Sequence, residues 1–219
     1  MRTLSIKLLV LSTAAVCLAA LFILSLMHQR EEAAPIPLYT VNQPMLGSPD
    51  APLQVVSFED PRCNACILFH RNHFQDLYEN YIQKGLIHYT VYLIADLPYS
   101  SIVVQTLLCA ANQSKDTFFS LLNLYYANPP EAPTDQEIAQ ELIKIASLAK
   151  LPLNLKTLSS CQFSTAIQQQ VLSNTDYGRI LMGGVIRTPT IFVNGTPLVR
   201  PSYKELTKLL QKKLKKYDP

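Results

Sequence analysis

Cys63 and Cys66 stand three positions apart in Arg62-Cys63-Asn64-Ala65-Cys66, a spacing that serves two chemistries. Two thiols one helical turn apart can close into a disulfide and reopen by thiolate attack, and the same spacing is half of a zinc site. The surrounding residues favour the first. Leu53-Gln54-Val55-Val56-Ser57-Phe58 reads as a buried strand, and from Cys63 to Gln83 apolar residues recur three and four apart. The pair therefore falls where a strand gives way to a helix. A helix's first turn carries unpaired N–H groups and a positive dipole end, both of which stabilise a thiolate. Cys63, the outer thiol, is expected to attack, and Cys66, one turn in, to resolve the mixed disulfide. Arg62 adds positive charge on the same side. His70 and His73 follow at spacings that could bring them onto one face with Cys66, so a Cys/His metal-binding module is the rival from another class. Polar residues on the exposed side of the helix are the simpler reading of both histidines. The redox cycle needs no metal and no organic cofactor.

The elements that must position this pair follow from the patterning. Gly85 stops the helix, and Leu86–Ile94 is a second strand, so residues 53–94 form a strand–helix–strand crossover with parallel strands. Residues 98–183 read as entirely helical, with candidates at 101–112, 116–127, 134–149 and 165–182, and a capping box at Thr134-Asp135-Gln136-Glu137. Thr190–Val193, Asn194-Gly195 and Thr196–Val199 spell strand, primed turn, strand. Ser202–Lys216 closes the chain as a helix whose Leu206, Leu209, Leu210 and Leu214 share a face. A short edge strand is expected near Tyr39–Val41.

Leu8–Met27 is a run of twenty residues without a charge, preceded by Arg2 and Lys7. As a helix it would extend about 30 Å, enough to cross a bilayer's hydrocarbon core, with the body of the chain outside the cytoplasm. A signal-anchor is expected over 1–27, with a cleaved signal peptide as the alternative. Residues 28–45 then form a linker, 46–97 and 184–219 one domain, and 98–183 a helical insertion. Arg2, Lys7 and Arg30 account for the net charge of +3, so the body is near neutral and nucleic-acid binding is excluded. With 48% hydrophobic and 16% charged residues, wholesale disorder is excluded too. Cys109 and Cys161 are either two buried thiols or a structural disulfide, and an exported compartment favours the bridge.

Gly47–His70 (GSPDAPLQVVSFEDPRCNACILFH) resembles the strand, active site and helix that open DsbA-like thioredoxin-fold oxidoreductases, and Gly183–Val199 (GGVIRTPTIFVNGTPLV) resembles their cis-proline loop and hairpin. The resemblance implies an α/β thioredoxin fold with an inserted all-helical domain, here preceded by an N-terminal hydrophobic helix. It places the cis-proline at Pro189 beside Thr188, in a loop that packs on the cysteine pair and offers backbone groups to a bound peptide. It implies protein or peptide substrates bearing cysteines, a periplasmic setting, and a membrane redox partner that resets the pair. It also supports the Cys109–Cys161 bridge, since some relatives carry a second disulfide in that domain. The chain departs from the pattern in two places. Ser57 stands where many relatives carry a buried acid, although Asp60 matches an acidic position nearer the site. Asn64-Ala65 puts no imidazole between the cysteines, so the Cys63 pKa is expected below the ~8.5 of a free thiol but less depressed than the ~3.5 of DsbA. Redox direction stays open at this point, with reductase or isomerase action as the alternative. The absence of a dimerisation segment weakens isomerase action and leaves a monomer as the expectation.

Overall fold

The computed structural model describes Thr13 and residues 16–21, 35–132 and 134–217. Thr13 and residues 16–21 are helical and exposed, and belong to a first unit that ends at Pro35. The Leu8–Met27 span expected from the sequence lies mostly outside the described residues. Among those described, no helix is long and apolar enough to cross a membrane.

The second unit, Ile36–Pro219, is built on a five-stranded sheet of order β1 (Met45–Leu46), β3 (Ile87–Leu93), β2 (Leu53–Glu59), β4 (Thr190–Val193), β5 (Thr196–Val199). At its centre β2 (Leu53–Glu59) and β3 (Ile87–Leu93) run parallel, in register from Leu53 opposite Ile87 to Glu59 opposite Leu93. All but Gln54 and His88 of these residues are buried, as a parallel pair covered on both faces requires. Between them runs α1 (Asn64–Leu77), whose last turn widens over Tyr78–Ile82 and stops before Gly85, which adopts φ +70°. The edge strand is β1 (Met45–Leu46), antiparallel to β3, and not Tyr39–Val41. The earlier stretch instead turns, with Asn42 at φ 66° and the Gln43 amide donating to Thr40 O, because the chain must reverse before it can pair.

The insertion comprises α2 (Ser100–Gln113), α3 (Lys115–Ala127), α4 (Asp135–Leu148), α5 (Leu155–Cys161) and α6 (Thr165–Leu181). Ser114, Thr134, Asn154 and Ser164 each cap the helix that follows by accepting an amide hydrogen of its first turn. Cys109 on α2 and Cys161 at the end of α5 are joined by a disulfide, with Cα atoms 5.9 Å apart. The chain then returns through β4 (Thr190–Val193), which pairs antiparallel with β2, and β5 (Thr196–Val199). Their connection, Asn194-Gly195, has both φ angles positive, at 43° and 75°. A Cβ at Gly195 would lie 2.3 Å from Ile36 O, so only glycine fits there. The closing helix α7 (Tyr203–Leu214) opens with a capping box of Ser202 and Glu205.

Alternation along the strands divides the core. Val56, Phe58, Tyr92, Ile94 and Phe192 pack with Tyr177 and Leu181 of α6. Val55, Tyr89, Val91, Leu93 and Ile191 face the other way, in one cluster with α1, α2, α3, α4 and Leu206 and Leu210 of α7. The insertion is therefore packed onto the sheet, continuous with the core that supports α1.

Candidate functional site

Cys63 occupies the position just before α1, with extended backbone (φ −72°, ψ 117°) and no side chain capping the helix. Its amide donates to Asp60 O at 2.9 Å, and its carbonyl accepts the Ile67 amide at 3.0 Å. The turn's free amides are thus left to the sulfur. Cys63 is half-buried, whereas Cys66 is only 1% exposed. Across from them Thr188–Pro189 is a cis peptide, and the Cys63 thiol reaches Thr188 O at 3.4 Å. Arg200 Nε also donates to Thr188 O, at 3.2 Å.

Once ionised, Cys63 accepts rather than donates. The Cys66 thiol's hydrogen bond, followed by those of the Thr188 side chain and the Cys66 and Ala65 amides, outweighs the burial penalty and lowers its pKa from 9.0 to about 5. Burial pushes the Cys66 thiol in the opposite direction, well above its ordinary value, reinforced by its bond to Cys63 and by the charge of Glu59. The two sulfurs are thus sharply unlike: one is a half-buried anion near neutral pH, the other an enclosed donor.

The charge beneath Cys66 corrects an expectation. Ser57 does stand where an acid was sought, but the acid is supplied two residues along the same strand face. Glu59, 2% exposed, accepts from Ser57 Oγ at 2.7 Å and Tyr89 Oη at 2.8 Å on one oxygen, and from Tyr126 Oη at 2.8 Å on the other. Sequence reading missed it because it ended the strand at Phe58. An acidic residue that continues the alternation Val55, Ser57, Glu59 was the available signal.

Asp60 anchors the site. Fully buried, it accepts the Arg62 amide and Ser100 hydroxyl on one oxygen and the Asp96 and Leu97 amides, at 2.8 and 3.0 Å, on the other. It thereby ties the turn before Cys63 to the segment that enters the insertion. Arg62 does not act as expected: its guanidinium turns to Pro130 O at 3.2 Å and lies 6.0 Å from the Tyr99 ring centroid, and hydrogen bonds hold the Cys63 thiolate instead. His70 is not on an exposed face. It is 7% exposed, stacked on Phe74 and paired through Nε2 with Asn123 Oδ1, and burial lowers its pKa. His73 stacks on Tyr203. Among the described residues no group of three His, Cys, Asp or Glu side chains is arranged to hold a metal ion.

A family model described as thioredoxin matches residues 39–212. A curated relative, "Probable disulfide bond formation protein D" of Bacillus cereus, is 29% identical over 179 residues, 80% of this chain and 80% of that protein. Two crystal structures share the fold. DsbA of Chlamydia trachomatis, 24% identical, covers 81% of this chain and 94% of its own with a TM-score of 0.73. Oxidised BdbD of Bacillus subtilis, 22% identical, covers 84% and 100% with a TM-score of 0.74.

Proposed function

The chain belongs to the thioredoxin family, and on that premise we propose that it is an extracytoplasmic thiol–disulfide oxidoreductase that donates disulfides to protein cysteines. The observation that carries the direction is the half-buried Cys63 at the helix start, where the Cys66 thiol, Thr188 and the Cys66 and Ala65 amides converge on its sulfur and hold its pKa down to about 5. Stabilising the thiolate stabilises the reduced pair relative to its disulfide, which makes the disulfide a stronger oxidant. The disulfide bond formation described for the Bacillus cereus relative agrees with that direction.

In the forward cycle a substrate thiolate attacks Cys63 Sγ in the Cys63–Cys66 disulfide, and Cys66 leaves as the thiolate. A mixed disulfide now joins substrate to Cys63. The second substrate thiolate attacks its own cysteine in that bond and expels Cys63. Two electrons pass from the substrate dithiol to the cysteine pair; of the two substrate protons one ends on Cys66 and the other goes to solvent, because Cys63 remains the thiolate. Cys63 departs readily because its anion is stabilised; Cys66, buried above Glu59, takes up a proton. Thr188 and Pro189 line the approach, with Thr188 O presented toward the reacting sulfur. The pair is reset when it passes its two electrons to a membrane redox partner carrying a disulfide of its own. Cys109 and Cys161 serve as a structural bridge, and the N-terminal segment serves as the export signal.

With Cys66 replaced by serine, the Cys63 thiolate should attack disulfides of oxidised substrates, expel one substrate thiolate and stay bonded to the other sulfur; no inner thiol is left to release it, so substrates should accumulate on Cys63 as adducts cleaved by dithiothreitol. Cys63→Ser should accumulate none. Adducts on Cys63→Ser but not on Cys66→Ser would overturn the assigned roles.

A further inference from the structure

Beside Cys63 a cleft of about 390 Å³ opens between the start of α1 and the segment that follows α3. Its walls include Arg62, Asn64, Arg71, Tyr125, the Pro129-Pro130 pair and Glu131. Both arginines are held by backbone carbonyls: Arg62 by Pro130 O, and Arg71 by Tyr126 O and by Ala127 O at 2.8 Å. Among the described residues neither has a carboxylate within ion-pair distance, whereas Arg179 and Lys144 elsewhere do. Carbonyls fix the two guanidinium groups without neutralising them, and each keeps donors free. Tyr125 is fully buried, with the Arg62 guanidinium close enough to act on its hydroxyl. Pro129 and Pro130 bring no amide hydrogens to this wall. Two fixed positive charges and the Asn64 side chain line the cleft, and among the described residues the one carboxylate in its lining is that of the exposed Glu131.

We propose that this cleft takes an acidic side chain of the peptide that carries the reacting cysteine, and so biases the oxidant toward cysteines with Asp or Glu nearby. The inference rests on the thiol–disulfide reading above. A planar, two-oxygen anion matches the guanidinium fork, and a lysine there would meet like charge. Arg62 and Asn64 flank Cys63 in the chain, so a peptide bonded to Cys63 Sγ reaches the cleft with a residue one to three positions from its own cysteine, at about 3.5 Å per residue. Neither Thr188 nor Pro189 lines this cleft.

The test follows reduction of the oxidised full chain by single-cysteine peptides, acetylated and amidated so that a side chain is the only carboxylate. Each peptide carries Glu, Gln or Lys two residues from cysteine, and each rate is normalised to that peptide's rate with glutathione disulfide. At low salt the Glu peptide should react about tenfold faster than the Gln peptide, with Lys slowest, and the advantage should shrink as salt rises. Arg71→Gln should bring the Glu-to-Gln ratio close to one, Arg71→Lys should restore part of it, and Arg71→Glu should reverse the order of Glu and Lys. Glu131→Gln, a change at an exposed position that leaves the arginine anchors intact, should raise the ratio. Equal normalised rates for Glu and Gln in the native chain overturn the proposal, as does a ratio that neither Arg71→Gln nor Glu131→Gln moves. Failure of every peptide to reduce the pair refutes instead the thiol–disulfide reading on which the proposal depends.

Discussion

Replacing Cys66 with alanine tests the electrostatics of the pair at their source, because the Cys66 thiol is the largest of the groups holding the Cys63 anion. A displacement from 9.0 to about 5 would correspond to about 5 kcal/mol for an enclosed group. Cys63 is only half-buried, and water screens such interactions, so about half of that, ~2–3 kcal/mol, is the usable figure. This makes the pair more oxidising by roughly 40–65 mV than one with an unperturbed thiol. A hydrogen bond to a charged acceptor contributes about 1.5–3 kcal/mol, so Cys66→Ala should raise the Cys63 pKa by about one to two pH units. Cys66→Ser keeps a donor in place and should leave it nearer about 5. The assay is thiolate ultraviolet absorbance against pH, with Cys17 replaced by serine so that one free thiol reports. In the chain that retains Cys66, the stability of the reduced form has a linked pH dependence. The folded pKa lies below the unfolded one, so this contribution is full above 9.0 and is lost as pH falls through about 5. If alanine and serine variants titrate together, the Cys66 donor does not hold the thiolate and the reasoning fails.

Three further outcomes are expected. Glu59→Gln removes the negative charge under Cys66 and should lower the Cys66 pKa, seen in Cys63→Ser protein as an earlier titration of the Cys66 Cβ chemical shift; no displacement would remove Glu59 from the site's electrostatics. Asp60→Ala strands three amides and a hydroxyl and should cost about 3–5 kcal/mol in urea unfolding, whereas a loss under 1 kcal/mol would contradict the anchoring role. Replacing Cys109 and Cys161 together by alanine reopens a loop spanning 52 positions and should lower stability by about 4 kcal/mol, leaving the Cys63 titration unchanged; a shifted titration would mean the bridge bears on the site.

What could be read from the chain follows its periodicities. β2, α1 and β3 were legible because a doubly covered strand is apolar throughout and an active-site helix repeats at three and four. The hairpin was legible because Asn194-Gly195 has one common use. α5 was missed: seven residues with one buried leucine give no period to detect. His70 was misplaced for a related reason, since a polar type on an amphipathic helix suggests solvent until α3 is known to lie over it. Glu59 was missed because strand ends are the least certain part of such a reading. Arg62 was noticed, but its turn into the cleft beside Arg71 was beyond reach, because the carbonyls that orient both arginines come from residues 126–130, far along the chain.

Tyr126 reaches Glu59 from 67 positions downstream, and this has a consequence for descent and redesign. The insertion supplies part of the enclosure of the inner thiol, so it cannot be treated as an exchangeable attachment. A pared-down variant in which a short loop replaces residues 98–183 would leave one Glu59 oxygen without its donor and admit water where Tyr125 and Tyr126 now lie. Position 59 and the helix that covers it should therefore change together in any lineage or laboratory series that trims, swaps or rebuilds the helical segment.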